Sequence, residues 1–170
     1  RSEALPTVHL TELFRQAQAS RIIVTAHDIN RGIAPPERPD PGGDFFFLRA
    51  EAPEAAQHLV LDLVSRRLPA HYGLDPVRDI QVLAPMYRGP AGVHALNAAL
   101  QERLNPHPPA RVAHGGGELR AGDKVMQVRN NYDRGPSGVF NGDVGTVVGV
   151  DEAGALAVAF SEEDGALPVF

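Results

Sequence analysis

The run NPHPPARVAHGGG, Asn105 to Gly117, constrains the fold most, because its three prolines and three consecutive glycines separate two stretches of different texture. Before it, apolar residues recur at spacings of three and four. Ala19, Ile22, Ile23, Ala26 and Ile29 lay one stripe along a helix that reaches about Asn30. Ala56, Leu59, Val60, Leu63 and Leu68 share a helical face that starts at Pro53 and ends with Pro69 and Gly73, and Val93, Leu96, Leu100 and Leu104 mark another. Short strands are expected between them, over Thr7 to Phe14, Asp44 to Ala50 and Asp79 to Ala84. The continuous apolar run Phe45 to Leu48 fits a strand buried on both faces of a parallel sheet. After the divide the helical period disappears. Leu119 to Asn130, Val144 to Val150 and Leu156 to Phe160 are β-rich, with turn signals at Asn141-Gly142 and Glu152-Ala153-Gly154. The expected fold is α/β, with a parallel-sheet domain over residues 1–110, a connector over 111–117 and a small barrel of SH3-like size over 118–170.

Two features of composition limit the function. Hydrophobic residues make up 43% of the chain, enough for a buried core, and the net charge is −5, which argues against bulk attraction to nucleic acid. Any nucleic-acid surface must then be a local patch. The chain has no cysteine, so disulfides and thiolate metal sites are excluded and a reducing cytoplasm is the natural compartment. No apolar run approaches a membrane span, so no membrane partner is expected. The seven histidines show no metal-ligand spacing, and neither a GxSxG elbow nor a paired-carboxylate pattern is present. His27 and Asn30, three apart, read as the satisfied polar tips of a packed helix face.

Two places carry candidate chemistry. Arg15 follows the expected strand Thr7 to Phe14 and opens the first helix, the usual crevice for phosphate in an α/β sheet. Leu10, Leu13, Phe14 and Ala17 also fit a helix that begins earlier, which would leave Arg15 on its surface. Periodicity does not separate these readings. The loop PMYRGPAG, Pro85 to Gly92, joins an expected strand to an expected helix. Gly89 and Gly92 let backbone amides approach a phosphate, the helix amino end favours an anion, and Tyr87 and Arg88 add a stacking face and a charge. The plainer reading is a tight turn whose tyrosine packs on the sheet edge. No GxxxxGK[ST] occurs, and the sole lysine, Lys124, falls in the β-rich part, so the chain cannot cradle a triphosphate alone.

The stretch LTELFRQAQASRIIVTAHDIN, Leu10 to Asn30, resembles motif IV and the following helix of superfamily 1 DNA helicases, in particular the RecD-like branch. VLAPMYRGPAGVHALNAALQ resembles the strand, loop and helix that follow motif IV in that family. GDKVMQVRNNYD and GVFNGDVGTVV resemble the start of the SH3-like barrel inserted into the second RecA-like motor domain. Between Arg134 and Gly138 the sequence RGPSG departs from the shorter link expected before VFNGD. The resemblance implies a parallel-sheet RecA-like (P-loop NTPase type) domain followed by that barrel, in a superfamily 1B enzyme that moves 5′ to 3′ on single-stranded DNA. It implies that Arg15, with Gln16 beside it, reaches the γ-phosphate of ATP held by the first RecA-like domain. It further implies DNA contacts by Pro85, Tyr87, Arg88, Asn131 and Asn141; from the residues alone, Asn141 and Asp143 are most simply turn formers. ATP and Mg²⁺ are expected to be bound mainly by the first motor domain, with single-stranded DNA and duplex junctions as partners and DNA repair or recombination as the setting. The chain is then expected to be part of a larger helicase and inactive by itself. A noncatalytic adaptor built from a degenerate α/β domain and an SH3-like module is the alternative, and an unrelated α/β enzyme is a further one.

Overall fold

The computed structural model describes residues 20–38, 42–134, 138–150, 155–162 and 165–166. It divides into two compact units, Arg1–Arg49 and Ala50–Phe170. The expected strand at Thr7 to Phe14, and Arg15 and Gln16 with it, lie outside the described residues.

In the first unit, helix α1 spans Arg21–Asn30. Ser20 is extended at φ −78° and ψ 122°, so the helix that ends at Asn30 begins at Arg21. The reason is a cap. Asp44, far along the chain, accepts the Ser20 hydroxyl at 2.6 Å and the N–H groups of Arg21 and Ile22 at 2.7 and 3.3 Å. These donors are otherwise orphaned at a helix start, and a carboxylate there also meets the positive end of the helix dipole. The Ser20 hydroxyl, then the backbone donors, hold the Asp44 carboxyl below the usual aspartate range against its partial desolvation. The other end closes in a Schellman arrangement, with Gly32 at φ 84°, its N–H on the Ile29 carbonyl and the Ile33 N–H on the Asp28 carbonyl. The apolar stripe is not a buried face throughout. Ile22 and Ile29 are both about half exposed, and Thr25 is the buried residue of the helix.

The second unit opens with helix α2, Pro53–Asp62, which continues through a π-helical turn, Leu63–Arg67, into helix α3, Leu68–Tyr72. Pro69 therefore does not end the helix. A proline has no N–H and crowds the carbonyl one turn earlier, and the wider π turn just before it absorbs both effects. Gly73, left-handed at φ 69°, provides the stop. Helix α4, Val93–Leu104, packs on this assembly as its periodicity requires, with Leu96 4% exposed and the Arg103 Nε donating to the Ser65 hydroxyl at 2.8 Å.

The run from Asn105 to Gly117 is not a featureless connector. Strand β1, Arg111–His114, pairs antiparallel with β2, Gly117–Arg120, and Gly115 and Gly116 form the two-residue turn between them. Both have positive φ, 55° and 84°, which matches the twist of the hairpin strands. The β-rich run Leu119 to Asn130 is not one continuous strand. After β2 the chain turns at Ala121-Gly122 and resumes as β3, Lys124–Met126. Strands β4, Val144–Val150, β5, Leu156–Glu162, and β6, Gly165–Ala166, complete an antiparallel sheet of order β3-β4-β5-β6. Val147 stands opposite Val158 in this sheet, and both are buried.

The parallel sheet is not seen among the described residues. Among the described residues every paired strand is antiparallel, and neither 44–50 nor 79–84 forms a strand. An apolar run acquires strand structure only through ladder bonds to a neighbour, and these two segments find none among the described residues. Phe46 and Leu83 consequently remain 54% and 88% exposed.

Candidate nucleic-acid interface

Pro85, Tyr87 and Arg88 stand together on an exposed loop that folds back over the amino end of α4. The N–H of Gly92 donates to the Gly89 carbonyl at 3.0 Å, that of Val93 to Met86 at 2.9 Å and that of His94 to Tyr87 at 3.2 Å. Gly89 takes φ 89°. Gly92 serves a different need: a Cβ there would lie 2.4 Å from the Arg88 carbonyl oxygen and 2.6 Å from its carbon. The loop is thus a tight turn, as the plainer reading has it, but its tyrosine is not packed on a sheet edge. Tyr87 is 71% exposed, with its ring 6.0 Å from that of His94 at a tilt of 41°. The anion argument also changes. Two N–H groups at the start of α4 are occupied by loop carbonyls, so the loop offers its side chains, a phenol ring and a guanidinium, more than the helix end.

Asn131 and Asn141 meet at a corner of the β-rich part. Asn131 and Val139 exchange backbone hydrogen bonds of 2.7 and 2.8 Å, and the Asn141 N–H donates to Oδ1 of Asn130 at 2.9 Å. The Asn131 side-chain oxygen accepts the Asp133 N–H at 3.2 Å, and Oδ2 of Asp143 accepts the Phe140 N–H at 2.7 Å. Asn141, Gly142 and Asp143 therefore do form a turn, with Gly142 at φ 101°. Residues 135–137 of the RGPSG departure lie outside the described residues, but the bridge flanking them is closed.

Sequence reasoning passed over the aromatic pair at this corner. Tyr132, 71% exposed, and Phe140 stack edge to face at 5.7 Å, and the amide of Asn130 donates to the Tyr132 hydroxyl at 3.1 Å. The available signal was two aromatics set among Asn, Asp and Gly in NNYD and VFNGD, where no apolar partner sits at strand spacing. No hydrogen bond or ring contact joins this corner to the Tyr87 loop among the described residues.

Residues 96–160 match the family model described as the SH3 domain of ATP-dependent RecD-like DNA helicases. The chain is also 34% identical over 153 residues to the ATP-dependent RecD2 DNA helicase of Deinococcus radiodurans, across 89% of its own length. The chain belongs to the RecD-like helicase family. It spans 19% of the length of that relative. The antiparallel β-rich part is the SH3-like barrel of this RecD-like chain, and the matched stretch begins inside α4, ahead of the proline- and glycine-rich run.

The RecD-like barrel is tied to the helices before it by polar contacts. The Arg120 side chain, 9% exposed, donates from Nε to Glu118 at 2.6 Å, from Nη2 to Glu102 at 2.9 Å and from Nη1 to the Asn105 carbonyl at 2.8 Å. Hydrogen bonds to Glu102 and Glu118 raise its pKa further above the ordinary arginine value. Asp123 accepts the Arg120 N–H at 2.8 Å and the Asn105 amide at 2.9 Å, and the Gln101 amide donates to the Glu118 carbonyl at 3.0 Å. Lys124 donates to the Ile80 carbonyl at 2.7 Å. Burial lowers its pKa, opposed by the carboxylates of Asp75 and Asp79.

Among the described residues no group of three His, Asp or Glu side chains stands ready for a metal ion, and no helix is long and apolar enough to cross a membrane.

Proposed function

We propose that this chain is part of an ATP-dependent DNA helicase that moves 5′ to 3′ on single-stranded DNA and opens duplex junctions. Residues 1–110 are assigned to the second RecA-like motor domain and 118–170 to its inserted barrel, with the β1–β2 hairpin at the junction. The observation that carries the reading is the alignment to a relative named as an ATP-dependent DNA helicase along nearly the whole chain. ATP and Mg²⁺ are assigned to the first motor domain, since no GxxxxGK[ST] occurs in this chain. Arg15, with Gln16 beside it, is proposed to meet the γ-phosphate across the cleft. Without that first domain, the chain by itself is expected to show no DNA-stimulated ATP turnover. Robust turnover by the purified chain would remove the half-motor assignment.

For DNA contact, the reading uses the side chains of the Pro85–Arg88 loop and the corner at Asn131 and Asn141. Tyr87 offers a ring face to a base, and Arg88 a forked cation to a phosphate. Tyr87→Ala together with Arg88→Ala in the full-length protein is expected to weaken single-stranded DNA binding by about tenfold or more, since one stacked base contributes roughly 1–3 kcal/mol. The slope of log affinity against log salt should fall by about 0.7 for the lost phosphate contact. Both side chains are exposed, so the stability change should stay within about 0.5 kcal/mol. Fluorescence anisotropy across a salt series, paired with thermal melting, reads both quantities. Unchanged affinity with a lowered melting temperature would return the loop to a packing role.

A further inference from the structure

The Pro85–Arg88 loop has few anchors of its own, since its three backbone bonds all run to its own residues and the start of α4. What holds it lies on either side. Upstream, the carbonyl of Ile80 receives the ammonium of Lys124, the first residue of β3. Downstream, the last turn of α4 and the residue after it, through Gln101, Glu102 and Asn105, are bonded to Glu118, Arg120, Ala121 and Asp123. Both sets of partners come from one short stretch of the barrel, the end of β2 and the turn into β3. That stretch is itself fixed to the barrel sheet, because the Gly122 N–H donates to the Val147 carbonyl at 2.7 Å and the Val147 N–H to the Asp123 carbonyl at 2.9 Å.

We infer that the β2–β3 turn of the barrel is a clamp that sets the position of the Tyr87 loop, with Lys124 gripping the segment entering the loop and the Arg120–Asp123 cluster gripping the helix leaving it. The barrel is then a positioning element for the loop as well as a surface of its own. Lys124 and Asp123 are positioning residues, acting through Ile80 and α4. The lysine suits the task because a long flexible stem can be partly buried while its ammonium reaches a carbonyl. Arg120 suits it because a buried guanidinium with three separate partners ties its own strand to the end of α4. The functional consequence rests on the proposed DNA role of the loop, whereas the clamp itself does not.

The test is hydrogen exchange on the full-length protein, comparing wild type with Lys124→Met, which keeps the stem and removes the ammonium. The amides of Gly92, Val93 and His94 report loop docking, and those of the β4–β5 ladder report the barrel as a whole. Local opening should speed exchange at the three loop amides by about tenfold while the ladder changes less than about twofold. Asn105→Ala, which removes the amide bonds to Ala121 and Asp123 and so weakens the downstream grip, should give the same local pattern to a smaller extent. Unchanged exchange at the loop amides in both variants, or equal acceleration in the ladder, overturns the clamp. Affinity for a fluorescent oligo-dT is measured on the same samples. Faster loop exchange with weaker oligo-dT binding supports the clamp and its role in DNA contact. Faster loop exchange with unchanged binding leaves the clamp standing and removes the loop from the DNA surface.

Discussion

Alanine at Arg15 is expected to lower DNA-stimulated ATP turnover of the full-length protein by a large factor, with arginine-finger losses of about 10³ to 10⁵ as the upper guide. Nucleotide affinity should change little. The asymmetry follows from where the charge acts: a guanidinium reaching the γ-phosphate from a second domain works on charge that develops during phosphoryl transfer and on the domain closure coupled to it. Adenine and most phosphate contacts belong to the first domain in the proposed arrangement. Arg15→Lys should restore little, because a point charge on a flexible stem does not reproduce a planar fork of donors. Turnover and nucleotide affinity for both variants, with folding checked by melting, decide the matter. A folded Arg15→Ala protein with near-normal turnover would leave Arg15 as a surface residue, the reading that helical periodicity left open.

The second large effect is expected at Gly92. A methyl group there would meet the oxygen, carbon and nitrogen of Arg88 at 2.4, 2.6 and 2.9 Å, all of them backbone atoms that cannot swing aside as a side chain does. Gly92→Ala must therefore push the loop off the start of α4, breaking the bonds from Val93 to Met86 and from His94 to Tyr87. Overpacking of this kind costs about 1–3 kcal/mol. Because the displaced segment carries Tyr87 and Arg88, single-stranded DNA affinity should fall at least as far as in the double alanine variant, and with a lowered melting temperature. Wild-type melting and wild-type affinity in Gly92→Ala would mean that the loop does not hold this conformation. By contrast, alanine at Gly89 would clash with nothing within 4 Å, and its cost would come from φ 89° alone.

How far the fold was legible depended on how local its causes were. The helices at Pro53 and Val93 were visible because an apolar period, an initial proline and a terminal glycine are properties of neighbouring residues. The turn at Asn141-Gly142 was visible for the same reason. Within the Pro/Gly run, however, the three glycines marked a break, and only pairing between Arg111–His114 and Gly117–Arg120 showed two of them to be a hairpin turn. The run Phe45 to Leu48 had the composition of a buried strand, yet composition provides no ladder partner, and Asp44 at its head went instead to the amino end of α1. Among the candidate residues, Pro85, Tyr87 and Arg88 were legible as one loop because they fall within a single short stretch of the chain. Arg15 and Gln16 fall outside the described residues.

By itself, then, the sequence determined where the helices at Pro53 and Val93 lie, the turn residues and the β-rich texture of the second half. Each of these follows from residues adjacent along the chain. Only the tertiary structure decided that Asp44 caps a helix more than twenty residues before it, that Lys124 reaches Ile80, and that Arg120 joins Glu102, Asn105 and Glu118. Charged side chains carry no periodicity that names a distant partner. A buried arginine or lysine is stable only where carboxylates or carbonyls converge on it, and that convergence exists only once the chain has folded.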